Sequence, residues 1–182
     1  MSKKIKLIIG STRQGRVGKP VSDWLVAVAK ESGVELEVVD LLEVNLPNFD
    51  AAVPPAYMPI ETPEGKEWAK IVAEADGFVF VTPEYNRSIP ASLKNALDYL
   101  VAEWNDKPMS VVSYGYVDGG QNATKHLLDV TGWLKMKNVG ESMAVQLTQE
   151  TFDEQGQFVD IDASLGGIKE AFTKSLRAIE AN

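Results

Sequence analysis

Two hydrophobic patterns alternate along this chain: short, nearly continuous apolar runs and apolar residues at three- and four-residue spacing. Ile5 to Ile9 is the first run and predicts a buried strand. Val17, Val21, Trp24, Leu25 and Val28 then recur at helical spacing, with Pro20 in the first turn, where its missing N–H costs little. Glu35 to Asp40 alternates like a short strand. A second helix starts near Thr62-Pro63-Glu64, in the order cap, proline, acid, and turns Trp68, Ile71, Val72 and Ala75 inward. Gly77 to Val81 is continuously apolar, as in a central parallel strand. Past Pro90, Leu93, Ala96, Leu97 and Leu100 mark a helix, and Met109 to Ser113 marks a strand. A helix follows from about Gly120 to Lys135, then a last strand at Ala144 to Leu147. Thr151 to Asp160 is a polar surface excursion, and Asp162 to Ala181 is a closing helix carrying Leu165, Ile168, Phe172, Leu176 and Ile179.

Strands that alternate with helices specify an α/β fold, a doubly wound five-stranded parallel sheet with helices on both faces. Order 2-1-3-4-5 places the loops after strands one, three and four along one edge. Ligands bind at that edge, beyond the carboxyl ends of the strands. No internal boundary or repeat divides residues 1–182, so one domain is expected. Residues 41–63 hold Pro47, Pro54, Pro55, Pro59 and Pro63 and read as an extended loop, long enough to have a role of its own.

Composition narrows the chemistry. The 182 residues include no cysteine and a single histidine, His126, which leaves no thiol catalysis and no multi-histidine metal site. A net charge of −8 argues against nucleic acid and acidic membranes as partners. No apolar run approaches a membrane span, and residues 1–9 are too short for a signal peptide. A cytoplasmic protein acting on small molecules is the expectation.

The chemistry sits in three loops. Gly10-Ser11-Thr12-Arg13-Gln14-Gly15-Arg16-Val17-Gly18 joins the first strand to the first helix. Strand, glycine loop and helix N-terminus together hold an anion, because backbone N–H groups and the helix dipole point at it. Arg13 and Arg16 suit a phosphate. The P-loop pattern fails, since Arg16 stands at its lysine and Val17 at its hydroxyl. The dinucleotide fingerprint fails at Thr12, where it requires a glycine. The ligand is therefore the phosphate of some other cofactor. The loops Thr82 to Pro90 and Ser113 to Gly120 are rich in glycine, tyrosine and small polar groups, suited to a flat, polar-edged ring on which Tyr85, Tyr114 and Tyr116 could stack. His126 reads as a half-exposed surface residue, and Lys94, Asn95 and Asp98 as capping, pairing or interface residues. Glu84 reads as part of the loop's backbone presentation. The acids at Asp153-Glu154 and Asp160-Asp162 match no calcium loop.

The segments G-S-T-R-Q-G-R-V-G, T-P-E-Y-N-R-S-I-P-A-S-L-K-N-A-L-D and S-Y-G-Y-V-D-G-G resemble the NADPH-dependent FMN reductase family, from Ile5 to about Leu147. The resemblance implies a flavodoxin-like fold, FMN as cofactor and NADPH or NADH as transient electron donor. It implies that Ser11, Arg13, Arg16 and Gly18 hold the phosphate. Pro83, Glu84, Tyr85 and Asn86 would line the isoalloxazine and ribityl chain, and Ser113, Tyr114, Gly115 and Gly120 would close the other side. Two electrons would pass by ping-pong hydride transfer to a quinone, free flavin, azo compound or similar small oxidant, with no catalytic side chain. The subunits would form a homodimer or homotetramer. The same fold also admits a flavodoxin-like one-electron carrier that docks on protein partners.

Overall fold

The two most apolar runs lie side by side at the middle of the sheet. In the computed structural model, which describes residues 3–182, β3 (Gly77–Pro83) pairs in parallel with β1 (Ile5–Ile9) on one side and β4 (Pro108–Gly115) on the other. Outside β1 lies β2 (Leu36–Asp40), with Asp40 opposite Ile9. The order is the expected 2-1-3-4-5, with one refinement: two short strands share the fifth position. Both β5 (Lys137–Asn138) and β6 (Met143–Gln146) pair in parallel with β4, at different heights. Between them the chain steps past the sheet at Gly140, packed so closely that an added Cβ would meet Ser110 and Ser175.

Period-two alternation splits the strand side chains between two apolar layers. Ile5, Leu7, Ile9, Val79, Val81, Val112 and Tyr114 meet α1 (Gly18–Glu31), α6 (Ile161–Leu165) and α7 (Lys169–Ala181). Ile8, Phe78, Phe80, Met109 and Val111 meet α3 (Pro63–Ala73), α4 (Ala91–Asp98) and α5 (Gln121–Trp133). Trp104 anchors the second layer, with ring centroids 5.9 Å from Trp68 and 5.1 Å from Phe78. Buried rings of this size each contribute about 1.5–3 kcal/mol of transfer free energy.

Other departures from the sequence reading have local causes. The proline-rich loop begins with a short helix, α2 (Leu41–Val44), which Asp40 caps by accepting the Leu42 amide at 3.0 Å. The closing helix is interrupted by a tight turn at Gly166–Ile168, where two adjacent glycines weaken the helix. Thr62 caps α3 as expected, accepting the Gly65 amide at 3.2 Å. On α4, Lys94 pairs with Asp98, while Asn95 fastens the proline-rich loop by donating to Pro47 O and accepting from Phe49 N, each at 2.8 Å.

Candidate active site

The neighbouring strands β1, β3 and β4 end at one edge, so the loops that leave them meet. The first loop is tied to the second through Ser11, whose buried hydroxyl shares a 2.7 Å hydrogen bond with the Tyr85 hydroxyl. It is packed against the third at Gly18, which lies against the Tyr114 hydroxyl. A Cβ at Gly18 would lie 2.9 Å from that oxygen, so only glycine admits the contact. The Glu84 amide completes the ring by donating to Tyr114 O at 3.1 Å. Burial holds the Tyr114 hydroxyl well above its usual titration range, with Tyr85 adding to the rise while Arg13 and Arg16 oppose it. Tyr114 is therefore a neutral hydroxyl at physiological pH.

The loop after β1 has donors to spare. Among the described residues, the amides of Thr12, Gln14 and Gly15 donate to no protein acceptor. The exposed Arg13 guanidinium folds back on its own loop, donating to Gln14 O at 3.0 Å and Gly15 O at 3.1 Å. Arg16 turns inward and pairs with Asp40, and both side chains are largely buried. Its Nε is buried without a partner. An unsatisfied buried donor costs about 1–3 kcal/mol, so an anion reaching it would gain that amount.

The loop after β3 is built around a tight turn. Tyr85 and Ser88 exchange backbone hydrogen bonds at 2.9 and 3.0 Å, and Asn86 and Arg87 between them are left-handed, with φ of 49° and 65°. Two successive positive φ values are the signature of a primed turn, and they are costly for arginine. Both residues stand exposed at the lip of the site, and Pro83 is buried at the strand end. Glu84 turns away: its carboxylate caps α5, accepting the amides of Asn122 at 2.9 Å and Ala123 at 3.2 Å. His126, exposed on α5, lies with Nδ1 3.0 Å from Ser88 Oγ and so braces this turn.

The loop after β4 returns to α5 through Gly119 and Gly120, both left-handed, and Ser113 Oγ donates to Gly119 O at 2.8 Å. Asp118 accepts the amides of Gly120 and Gln121 at 3.1 and 3.3 Å. An added Cβ on Gly115 would sit 3.7 Å from Glu84 Cβ, which sets the second and third loops side by side.

Ser11, Gly18, Glu84, Tyr85, Ser113, Tyr114, Gly115 and Gly120 thus belong to one interlocked cluster. Arg13 and Asn86 stand at its rim, and Arg16 is drawn toward β2. Sequence reasoning missed Asp40, Asp118, Asn122 and Gln146. For Asp40 the available signal was its place at the end of the strand beside β1. For Asp118 it was the D-G-G turn.

Fold and site define a doubly wound α/β protein with a glycine-rich loop of unengaged amides at its switch point. The chain belongs to the NADPH-dependent FMN reductase family, whose model matches residues 3–150. It is 39% identical to an NAD(P)H-dependent FMN reductase of Schizosaccharomyces pombe, covering 98% of this chain and 92% of that protein. It is 28% identical to an NADPH:quinone oxidoreductase of Arabidopsis thaliana over 86% of this chain and 82% of that one. The solved structure of FerB, a flavoenzyme NAD(P)H:(acceptor) oxidoreductase from Paracoccus denitrificans, shares the fold with a TM-score of 0.71, at 22% identity over 96% of this chain and 97% of that chain.

Proposed function

We propose that the three interlocked loops hold FMN, with its phosphate on the loop after β1 and its ring system between the loops after β3 and β4. As a family member the chain is a flavin-dependent NAD(P)H oxidoreductase, and the electron-carrier alternative is not favoured. One observation carries the placement. The loop after β1 holds unengaged amides and a buried, unpartnered Arg16 Nε, is hydrogen-bonded through Ser11 to Tyr85 of the second loop, and packs at Gly18 against the Tyr114 hydroxyl of the third. That donor set fits a terminal phosphate, and the glycine- and tyrosine-rich walls fit a flat ring.

Bound there, FMN supplies two-electron hydride chemistry that no side chain could provide. The residues of this chain hold and orient. Arg13 and Arg16 would offset the phosphate charge, Glu84 and Asp118 fix the start of α5, and the buried Tyr114 packs the third loop against the first. A single substrate site beside the flavin would serve donor and acceptor in turn, which would make the scheme ping-pong. The acceptor is a small oxidant: a quinone, free flavin, azo compound or similar molecule. We further place the protein in the cytoplasm as a homodimer or homotetramer, with neither membrane nor nucleic acid as partner. Among the described residues no helix is long and apolar enough to cross a membrane.

Fluorescence titration with FMN should show tight one-to-one binding. Initial rates with NAD(P)H and a quinone should give parallel lines as the second substrate varies. No FMN binding, or no oxidation of either nicotinamide by the FMN-loaded protein, would overturn the assignment.

A further inference from the structure

The three tyrosines of the site do not share a fate. Tyr114 is buried and Tyr85 half-buried; the Tyr85 hydroxyl is spent on Ser11, and the Tyr114 hydroxyl is packed against Gly18. Tyr116 is 61% exposed and the next residue, Val117, is 80% exposed. They form an apolar tip directly after Gly115, on a loop whose return through Gly119 and Gly120 is buried. The tip is nevertheless held at both ends. Asp118 fixes its far side through the Gly120 and Gln121 amides. On the near side Gln146, the last residue of β6 and in register with Gly115, donates from Nε2 to Tyr116 O at 3.3 Å and to Val117 O at 3.2 Å. A carboxamide nitrogen has two protons, and both go to the carbonyls of the tip.

Exposed apolar side chains on a braced backbone beside a ring site present a preformed contact surface. We propose that Gln146 is a positioning residue that holds Tyr116 and Val117 as a platform for the planar ring of the second substrate, whether nicotinamide or quinone. The proposal rests on the FMN reading above. Tyr116 supplies an exposed aromatic ring on which an electron-poor ring can stack, and Val117 supplies apolar surface beside it. One platform serves both substrates because they take the same place in turn.

The test uses Gln146→Leu, which removes both donors, Gln146→Glu, which sets a carboxylate against two carbonyls, and Gln146→Lys, whose ammonium can still donate to both. FMN-loaded Gln146→Leu and Gln146→Glu should raise KM for quinone and for NAD(P)H about tenfold, with kcat and the FMN dissociation constant within about twofold of wild type. Gln146→Lys should restore both KM values. In FMN-free protein, chymotrypsin should cut after Tyr116 faster in the Leu and Glu variants than in wild type or the Lys variant. Tyr116→Ser should reproduce the KM rise with the brace intact, which keeps the test sound if a Gln146 variant fails to fold. Normal FMN binding with unchanged KM in Gln146→Leu and Tyr116→Ser overturns the platform alone. An FMN affinity that falls as far as KM rises reassigns Gln146 to the flavin pocket and also overturns it. Failure of the wild-type protein to bind FMN overturns the reading and this inference together.

Discussion

At the scale of single residues, the two arginines of the first loop are not equivalent. Arg13 is exposed and touches only carbonyls of its own loop. Arg16 is buried against Asp40. Removing one partner of a buried pair leaves an uncompensated charge, at a cost of about 3–5 kcal/mol, whereas losing a charge-assisted phosphate contact costs about 1.5–3 kcal/mol. Arg13→Ala should therefore weaken FMN binding with little effect on the melting temperature of the FMN-free protein. Arg16→Ala should lower both. Melts of FMN-free protein beside fluorescence titrations separate the two, and wild-type FMN affinity in Arg13→Ala would remove it from the phosphate site. Tyr114 gives a pH prediction. Its hydroxyl titrates above the usual 10.0 because it is buried, so above that pH the folded chain keeps a proton that the unfolded chain releases. The stabilisation is complete below pH 10.0 and is lost as pH climbs beyond it. Tyr114→Phe should flatten the alkaline fall in melting temperature, and an unchanged alkaline slope would count against this burial argument.

At the scale of elements, α5 depends on an acid from another loop. Glu84 satisfies the amides of Asn122 and Ala123 and places negative charge at the helix N-terminus. Glu84→Gln keeps an acceptor and loses the charge, so it should destabilise by about 0.5–1 kcal/mol, against about 1–2 kcal/mol for Glu84→Ala. Urea melts measure the total, and faster exchange of the Asn122 and Ala123 amides would locate it. This contact also marks how far the sequence could be read. The strands, most of the helices and the three loops were legible, because each spans at least one full period of its pattern or carries its own glycines. The helix Leu41–Val44 and the strand Lys137–Asn138 were not, because four and two residues are too few to express a period. The closing helix looked continuous because its apolar spacing runs on across Gly166 and Gly167. In the site, Ser11, Tyr85 and Gly120 could be named from their loops. Their neighbours Asp40 and Gln146 could not, since only the order and register of the strands bring them there.

At the scale of the whole molecule, the surface holds apolar groups that a lone chain leaves in water. Tyr57 is 84% exposed at the crest of the proline-rich loop, with Met58 beside it. Met58 lines a mainly apolar pocket of about 190 Å³ together with Phe49, Ala52, Val53, Ile60 and Tyr99. The base of the loop is fixed, through Asn95 and through the Tyr99 hydroxyl, which donates to Pro47 O at 2.9 Å. A loop anchored at its root and apolar at its crest is suited to packing on another surface. Trp133, 87% exposed at the end of α5, offers a second contact beside Val130 and Leu134. Two separate apolar areas accommodate either a dimer through one of them or a dimer of dimers through both. Light scattering should therefore report a homo-oligomer at micromolar concentration. Tyr57→Ser combined with Met58→Ser, or Trp133→Ser, should each lower the assembly state if that area is an interface. A dimer lost with the first pair, or a tetramer reduced to dimers by Trp133→Ser, would assign the interfaces one by one. A stable monomer with full activity in the wild-type protein at micromolar concentration would rule the homo-oligomer out.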